Sequence, residues 1–236
     1  MSNHQNIQRK LSFGVSSWLA YEFSCNRGNL FNEKYLSYPI GNILNGLTDY
    51  QVRSEVNHPH KNTNNQGRPL QIDFVLSDRN NREKWKIAIE SKWVGQSEVR
   101  LKDIYWDLIR LQNIHREHND IKTYFLISGF YKKLDVMFSD FDLFHSGKQS
   151  TSNRTKNEIV KKDRANITIN LRKADSIDKN DLNKRIKKYS NFLLYQKIYC
   201  KTAHIYPEEK MFNMTISTIV FEVKKPEGED KVRELC

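Results

Sequence analysis

The chain reads as an α/β protein whose sheet is covered on both faces. Segments of helical and of alternating periodicity interleave in the order α, α, β, β, β, α, β, α as far as about residue 144. The candidate strands "LQIDFVLS" (70–77) and "WKIAIESKW" (85–93) sit in strong apolar runs, as strands buried on both sides do. After residue 144 the composition turns polar and basic. A chain of 236 residues can bury a full hydrophobic core. The expected organisation is therefore a core over 1–144 and a basic α+β elaboration over 145–236 that packs on or completes the same domain.

Each element has its own signal. Val15, Trp18, Leu19, Glu22 and Phe23 recur at helical spacing, which predicts an amphipathic helix with an acid set into its apolar stripe. Pro39 suits a first helical position, and Ile40, Ile43, Leu44 and Leu47 give a short second helix that Gly46 helps to end. "YQVRSEVN" (50–57) predicts a first strand and "HPHKNTNNQGRP" (58–69) a loop. The two strands already named follow, joined as a hairpin through "DRNNREK". Leu101, Ile104, Tyr105, Leu108, Leu111 and His115 mark a long helix, "KTYFLISG" a strand, and Leu134, Met137, Phe138 and Phe141 another helix.

The segment from Lys148 to Lys188 carries thirteen Lys or Arg against five acids, most of the net charge of +11. "NITINL" within it suggests a strand, and Leu182, Ile186, Tyr189 and Leu193 suggest a helix. "IYCKTAHIY" and "MTISTIVFEVK" read as late strands, and "KKPEGEDKVREL" as a frayed tail. The charge imbalance favours a polyanionic partner, most often nucleic acid.

Other classes find little support. Cys25, Cys200 and Cys236 form no CxxC pair or Cys/His knuckle, so neither a disulfide framework nor a zinc site is expected, and a reducing cytoplasm is. Arg9 and Lys10 before "LSFGVSSWLAYEF" faintly suggest a signal peptide, but Glu22 interrupts the apolar stretch. No apolar run reaches the roughly 20 residues of a membrane span. The histidines of "HPH" (58–60), in a polar loop, and His115 with His118, at the end of a helix read as exposed, are expected to ligate nothing.

Alternation assigns faces. In "WKIAIESKW", Trp85, Ile87, Ile89 and Ser91 point one way and Lys86, Ala88, Glu90 and Lys92 the other. In "LQIDFVLS", Ile72, Phe74 and Leu76 share the core face and leave Asp73 opposite, with Gln71 and Val75. Paired as a hairpin, the strands put Asp73, Glu90 and Lys92 on one face. Buried charges without partners cost several kcal/mol each, so these three must be paired, exposed or bound to a metal. Two converging carboxylates suit Mg²⁺, which completes its shell with water and phosphate, and a lysine beside them offsets charge on a phosphorus oxygen.

"QIDFVL" followed by "ESK" within "IAIESKW" resembles the PD-(D/E)xK nuclease superfamily. That resemblance implies a restriction-endonuclease-like αβββαβ core with a mixed central sheet flanked by helices. The element order matches from about residue 14 to 129 with one inserted helix, and nothing after Phe144 is recognised. Carried over residue by residue, it makes Asp73 and Glu90 metal ligands and Lys92 the catalytic lysine. Ser91 would lend its backbone carbonyl to the metal. Glu22 would be the acid of the first helix, a further ligand and catalytic group, with Glu55 the second choice; read from the residues alone, Glu22 is equally a structural acid bonded to backbone or paired with Arg27 or Lys34. Ile72 stands where the nominal pattern has proline. Tyr105, Trp106 and Asp107 follow the ExK strand where such nucleases place residues that border the site.

The function expected is Mg²⁺-dependent hydrolysis of DNA phosphodiesters, with Mn²⁺ as a substitute, by a restriction or defence endonuclease acting on double-stranded DNA. A homodimer is among the expected assemblies. The alternatives are a recombination or repair nuclease and a non-catalytic nucleic-acid-binding protein on the same scaffold.

Overall fold

The computed structural model describes residues 7–61, 68–95, 99–118, 120–139, 166–171, 179–189, 191–202, 206–207, 216–226 and 231–232. Most of the basic stretch 148–188, including Lys161, Lys162 and Arg164, lies outside them, as does Phe141.

Helix α1 (Ile7–Ser24) buries Leu11, Val15 and Leu19 on one stripe, and a 3-10 turn (Gly28–Leu30) leads to α2 (Glu33–Leu47). The second helix starts well before Pro39. The Asn32 side chain accepts the Tyr35 amide as N-cap, Glu33 lies in the first turn, and the stripe Leu36–Ile40–Leu44 runs through the proline. Pro39 is thus interior and buried, and tertiary packing outweighs the backbone hydrogen bond it forgoes.

Strands β1 (Gln51–Asn57), β2 (Gln71–Asp78), β3 (Asn81–Val94) and β4 (Lys122–Phe130) follow, with α3 (Leu101–Glu117) crossing over between β3 and β4. Strand β3 begins earlier than expected, so only Arg79 and Asn80 turn the hairpin. After β4 come α4 (Tyr131–Ser139), β5 (Asn166–Asn170), α5 (Lys179–Lys187), β6 (Leu194–Tyr195), β7 (Lys197–Thr202), β8 (Ile216–Val223) and β9 (Lys231–Val232). The tail expected to fray contributes β9, which pairs with β6.

The main sheet has seven strands in the order β1-β2-β3-β4-β8-β7-β5. Strands β3 and β4 are parallel and every other neighbouring pair is antiparallel, so the sheet is mixed. Three of the strands come from beyond residue 144, and β8 lies against β4 near the centre.

Two cores cover the two faces. One joins α1 and α2 to Phe74, Leu76, Ile87, Ile89, Tyr124 and Leu126. The other joins α3 to Val75, Ala88, Phe125, Ile127 and the C-terminal strands. Alternation therefore holds over 74–76 and 87–89. It slips at both ends: Ile72 and Trp85 belong to the α3 core, although each is in phase with residues of the other face. At Trp85 the cause is a register shift in the β2/β3 ladder, and the indole stacks on His118 at 4.7 Å. At Ile72 the break lies at Asp73, where the β1 residue between the Ser54↔Phe74 and Val56↔Ile72 pairs, Glu55, adopts a left-handed φ of 50°. Glycine is required opposite Val94: a Cβ on Gly129 would lie 2.3 Å from the Val94 carbonyl oxygen, so β3 and β4 meet tightly next to Lys92.

Candidate active site

The β2/β3 pairing has Phe74 opposite Ile89, and the next positions outward are Asp73 and Glu90. There the backbone ladder gives way to a side chain. Asp73 Oδ2 accepts the Ser91 amide at 2.7 Å and the Ser91 hydroxyl at 2.8 Å. Glu90 and Lys92 continue β3 against β4, opposite Phe125 and Ile127. Asp73, Glu90, Ser91 and Lys92 thus meet where β2 and β3 part.

Helix α3 supplies a second layer. Asp107 and Arg110 lie one turn apart on its buried side, and Arg110 Nη1 donates to Asp107 Oδ1 at 3.2 Å. Arg110 Nη2 donates to Glu90 Oε1 and to the Gln71 carbonyl, the latter at 2.6 Å. Lys92 Nζ lies between two acids: Glu33 Oε1 at 3.0 Å and Oε2 at 3.2 Å, and Asp107 Oδ2 at 3.1 Å. Four carboxylates (Asp73, Glu90, Asp107, Glu33) face two cations (Lys92, Arg110), which leaves a charge of −2 with all six ionised.

Burial drives the titration of these groups. Glu90 is 2% exposed, and loss of water pushes its carboxyl well above the ordinary range; Arg110 opposes the rise, while Asp73 and Asp107 add to it. Asp107 is pushed up by the same burial, against the pull of Arg110 and Lys92. Burial alone would lower the Lys92 ammonium, but Asp107 and Glu33 more than offset it and hold it above the ordinary lysine value. Lys92 is accordingly a cation at neutral pH.

A cleft of about 660 Å³ opens beside Lys92, with Glu33, Asn29, Arg100 and Asp103 among its polar lining. Phe31, Trp93 and Phe130 form its aromatic side, with Phe31 and Phe130 each edge-on to Trp93. At its Arg100 and Asp103 end, Arg185 of α5 donates to Asp103 at 3.2 Å and bonds Asp181 at 3.0 Å. Helix α5 of the basic segment is docked there on α3, with Lys102 also 3.4 Å from Asp181.

Glu22, expected as the accessory acid, and Glu55, the second choice, make their contacts with other residues. Glu22 is buried, but its partners are the Tyr35 hydroxyl at 2.6 Å and Arg27 at 3.1 Å, and Tyr35 and Arg27 together hold its carboxyl below the ordinary value. Neither partner belongs to the group formed by Asp73, Glu90 and Lys92. Glu55 is exposed on β1 near Arg68, at 3.9 Å. The helix acids that reach Lys92 are Asp107 of α3 and Glu33 of α2, and Glu33 is the one from the N-terminal helices. Sequence reasoning missed it together with Arg110, while Asp107 falls where bordering residues were expected.

The histidines correct another expectation. His58, His60 and His115 are buried, and α3 is not an exposed helix. His58 Nδ1 accepts the His60 amide at 3.1 Å, so its Nε2 carries the proton that it donates to the Arg110 carbonyl at 3.2 Å. Burial pushes the His58 imidazole down to about 3. The His58 and His60 rings clamp the chain after β1 onto α3, and Phe192 packs against both.

Among the described residues, no three His, Cys, Asp or Glu side chains stand together as a metal-binding group, and no helix is long and apolar enough to cross a membrane. The donors present still suit a hard divalent cation: two carboxylates from adjacent strands, oxygen atoms only, and a residual charge of −2. Comparisons of the chain with known protein families, curated proteins and solved structures find no match.

Proposed function

We propose that this chain is a metal-dependent nuclease of the PD-(D/E)xK kind, hydrolysing phosphodiester bonds of double-stranded DNA. The observation that carries the reading is the Asp73 carboxylate on the Ser91 amide, which sets the Asp of one strand beside the ExK triplet of the next. The two helices, the three antiparallel strands, the α3 crossover and the parallel β4 support a restriction-endonuclease-like core.

In this reading Asp73, Glu90 and the Ser91 carbonyl hold Mg²⁺ or Mn²⁺. The cation, when bound, neutralises phosphate and acidifies a water. Lys92 remains protonated between Glu33 and Asp107 and faces the cleft, so its work is electrostatic: it offsets charge that develops on the phosphate oxygens. Glu33, half exposed at the cleft, fixes the ammonium and can align a water. The basic residues of the C-terminal part supply affinity for the DNA backbone.

One observation favours a second reading. Every charge of the cluster has a protein partner, as it would in an ion network kept only for structure on a non-catalytic DNA-binding protein. A single gel separates the two. Purified protein is incubated with plasmid, linear duplex, single-stranded DNA and RNA, in Mg²⁺, Mn²⁺ or EDTA. Nicking or linearising of plasmid in metal and not in EDTA is expected. Retarded but intact DNA under all conditions would support the binder.

A further inference from the structure

We infer that Arg110 is a displaceable counter-ion of the site, shared by Glu90 and Asp107 without metal and carried by Asp107 alone once a divalent cation binds. The inference rests on the metal-dependent reading. Its basis is the geometry of one guanidinium: Nη2 on Glu90 and on the Gln71 carbonyl, Nη1 on Asp107, the whole side chain 12% exposed. A cation held by Asp73 and Glu90 needs a Glu90 oxygen, and Arg110 occupies one. The bonds to Asp107 and Gln71 do not compete. They leave the guanidinium a place to stay.

The balance of charge agrees. With Arg110 on Asp107 and Lys92 on Glu33, both pairs are neutral, and Asp73 with Glu90 carries −2, which one divalent cation cancels. Without the cation, Glu90 is a nearly water-free carboxylate, a costly state unless another cation meets it. Arg110 provides the cation. The His58 ring, bonded to the Arg110 carbonyl, and the α3 backbone fix where the side chain starts, so the movement asked for is confined to the guanidinium. Arginine suits this role because its planar fork serves several acceptors at once.

The test reads metal affinity and needs no cleavage. Mn²⁺ alone is titrated calorimetrically into wild type, Arg110→Gln and Asp107→Asn. Removing the competitor should tighten Mn²⁺ binding about tenfold or more in Arg110→Gln, the scale of one charge-assisted hydrogen bond. Removing the charge of the alternative acceptor should weaken it in Asp107→Asn, because Arg110 then stays on Glu90, the charged carboxylate. Should Arg110→Gln fail to fold, Arg110→Lys keeps the charge, loses the fork, and should also tighten binding. Opposite shifts in the two positions support the inference. Weaker or unchanged binding in the Arg110 variants, with wild type binding normally, overturns it and leaves the nuclease reading standing. No Mn²⁺ binding by any of the proteins overturns both.

Discussion

Asp73 of β2 takes the Ser91 amide of β3 at 2.7 Å, in place of a ladder bond, where the two strands separate. One carboxylate therefore has a structural and a proposed catalytic duty. Asp73→Asn keeps an acceptor for the amide but loses a charge, whereas Asp73→Ala loses both. We expect both variants to abolish cleavage, and only Asp73→Ala to lower the melting temperature appreciably. Glu90→Gln should also abolish cleavage, with DNA retardation kept. Full plasmid cleavage by either charge-neutral variant would show that the site has been misplaced.

Lys92→Ala should reduce kcat by orders of magnitude while Mn²⁺ affinity stays within a few fold, since the ammonium touches Glu33 and Asp107 and is no ligand. Lys92→Arg should rescue poorly, because a wider, delocalised cation does not fit between the same two acids. Single-turnover rates alongside calorimetry decide the point, and a collapse of metal affinity in folded Lys92→Ala would contradict the role assigned.

Glu22 and Glu33 should respond differently. Glu22→Gln loses the charge that Tyr35 and Arg27 share, so its effect belongs in stability, with a melting temperature lower by roughly 2–4 °C and a normal rise on adding Mn²⁺. Glu33→Gln should leave the melting temperature nearly unchanged and reduce kcat. The reverse pattern would return Glu22 to the site.

Acid should destabilise the protein through His58. Its folded value, about 3, lies below the unfolded 6.5, so the fold binds the neutral ring. That contribution is complete above pH 6.5 and is lost as pH falls from there toward 3, by about 2 kcal/mol at pH 5. Urea melts at pH 7.5 and 5 should show the loss, and His58→Gln should reduce it. An equal pH dependence in the variant would assign the acid sensitivity to other groups.

Much of this site could be read from strands and little of it from helices. Asp73, Glu90 and Lys92 were visible because an alternating strand assigns each residue to a face, and three charges on a face otherwise apolar need a reason. Arg110 and Glu33 were not, since the angle at which a helix meets a sheet is set by packing that the local pattern does not record. A signal existed all the same: Asp107 and Arg110, one turn apart, interrupt the apolar series Ile104, Leu108, Leu111 of a helix whose middle is buried. Asn32 and Glu33 likewise spell a helix start that Pro39 concealed. Glu22, an acid in an apolar stripe, announces a partner, and the sequence leaves both Arg27 and the metal site open. Its partners are Arg27, five residues on, and Tyr35.

The order in which the sheet is assembled bears on how the protein is made. The Ser16 hydroxyl of α1 donates to the Ile216 carbonyl, 200 residues along the chain, and β8 fills the place beside β4. While a ribosome is still translating the middle of the message, the first helix has emerged without the strand it lies on. The β4 edge stays open for the same interval, as a ready template for another nascent chain. Fragments ending near residue 144 should therefore be recovered in inclusion bodies, and slowing translation before β8 should demand more chaperone than slowing it afterwards.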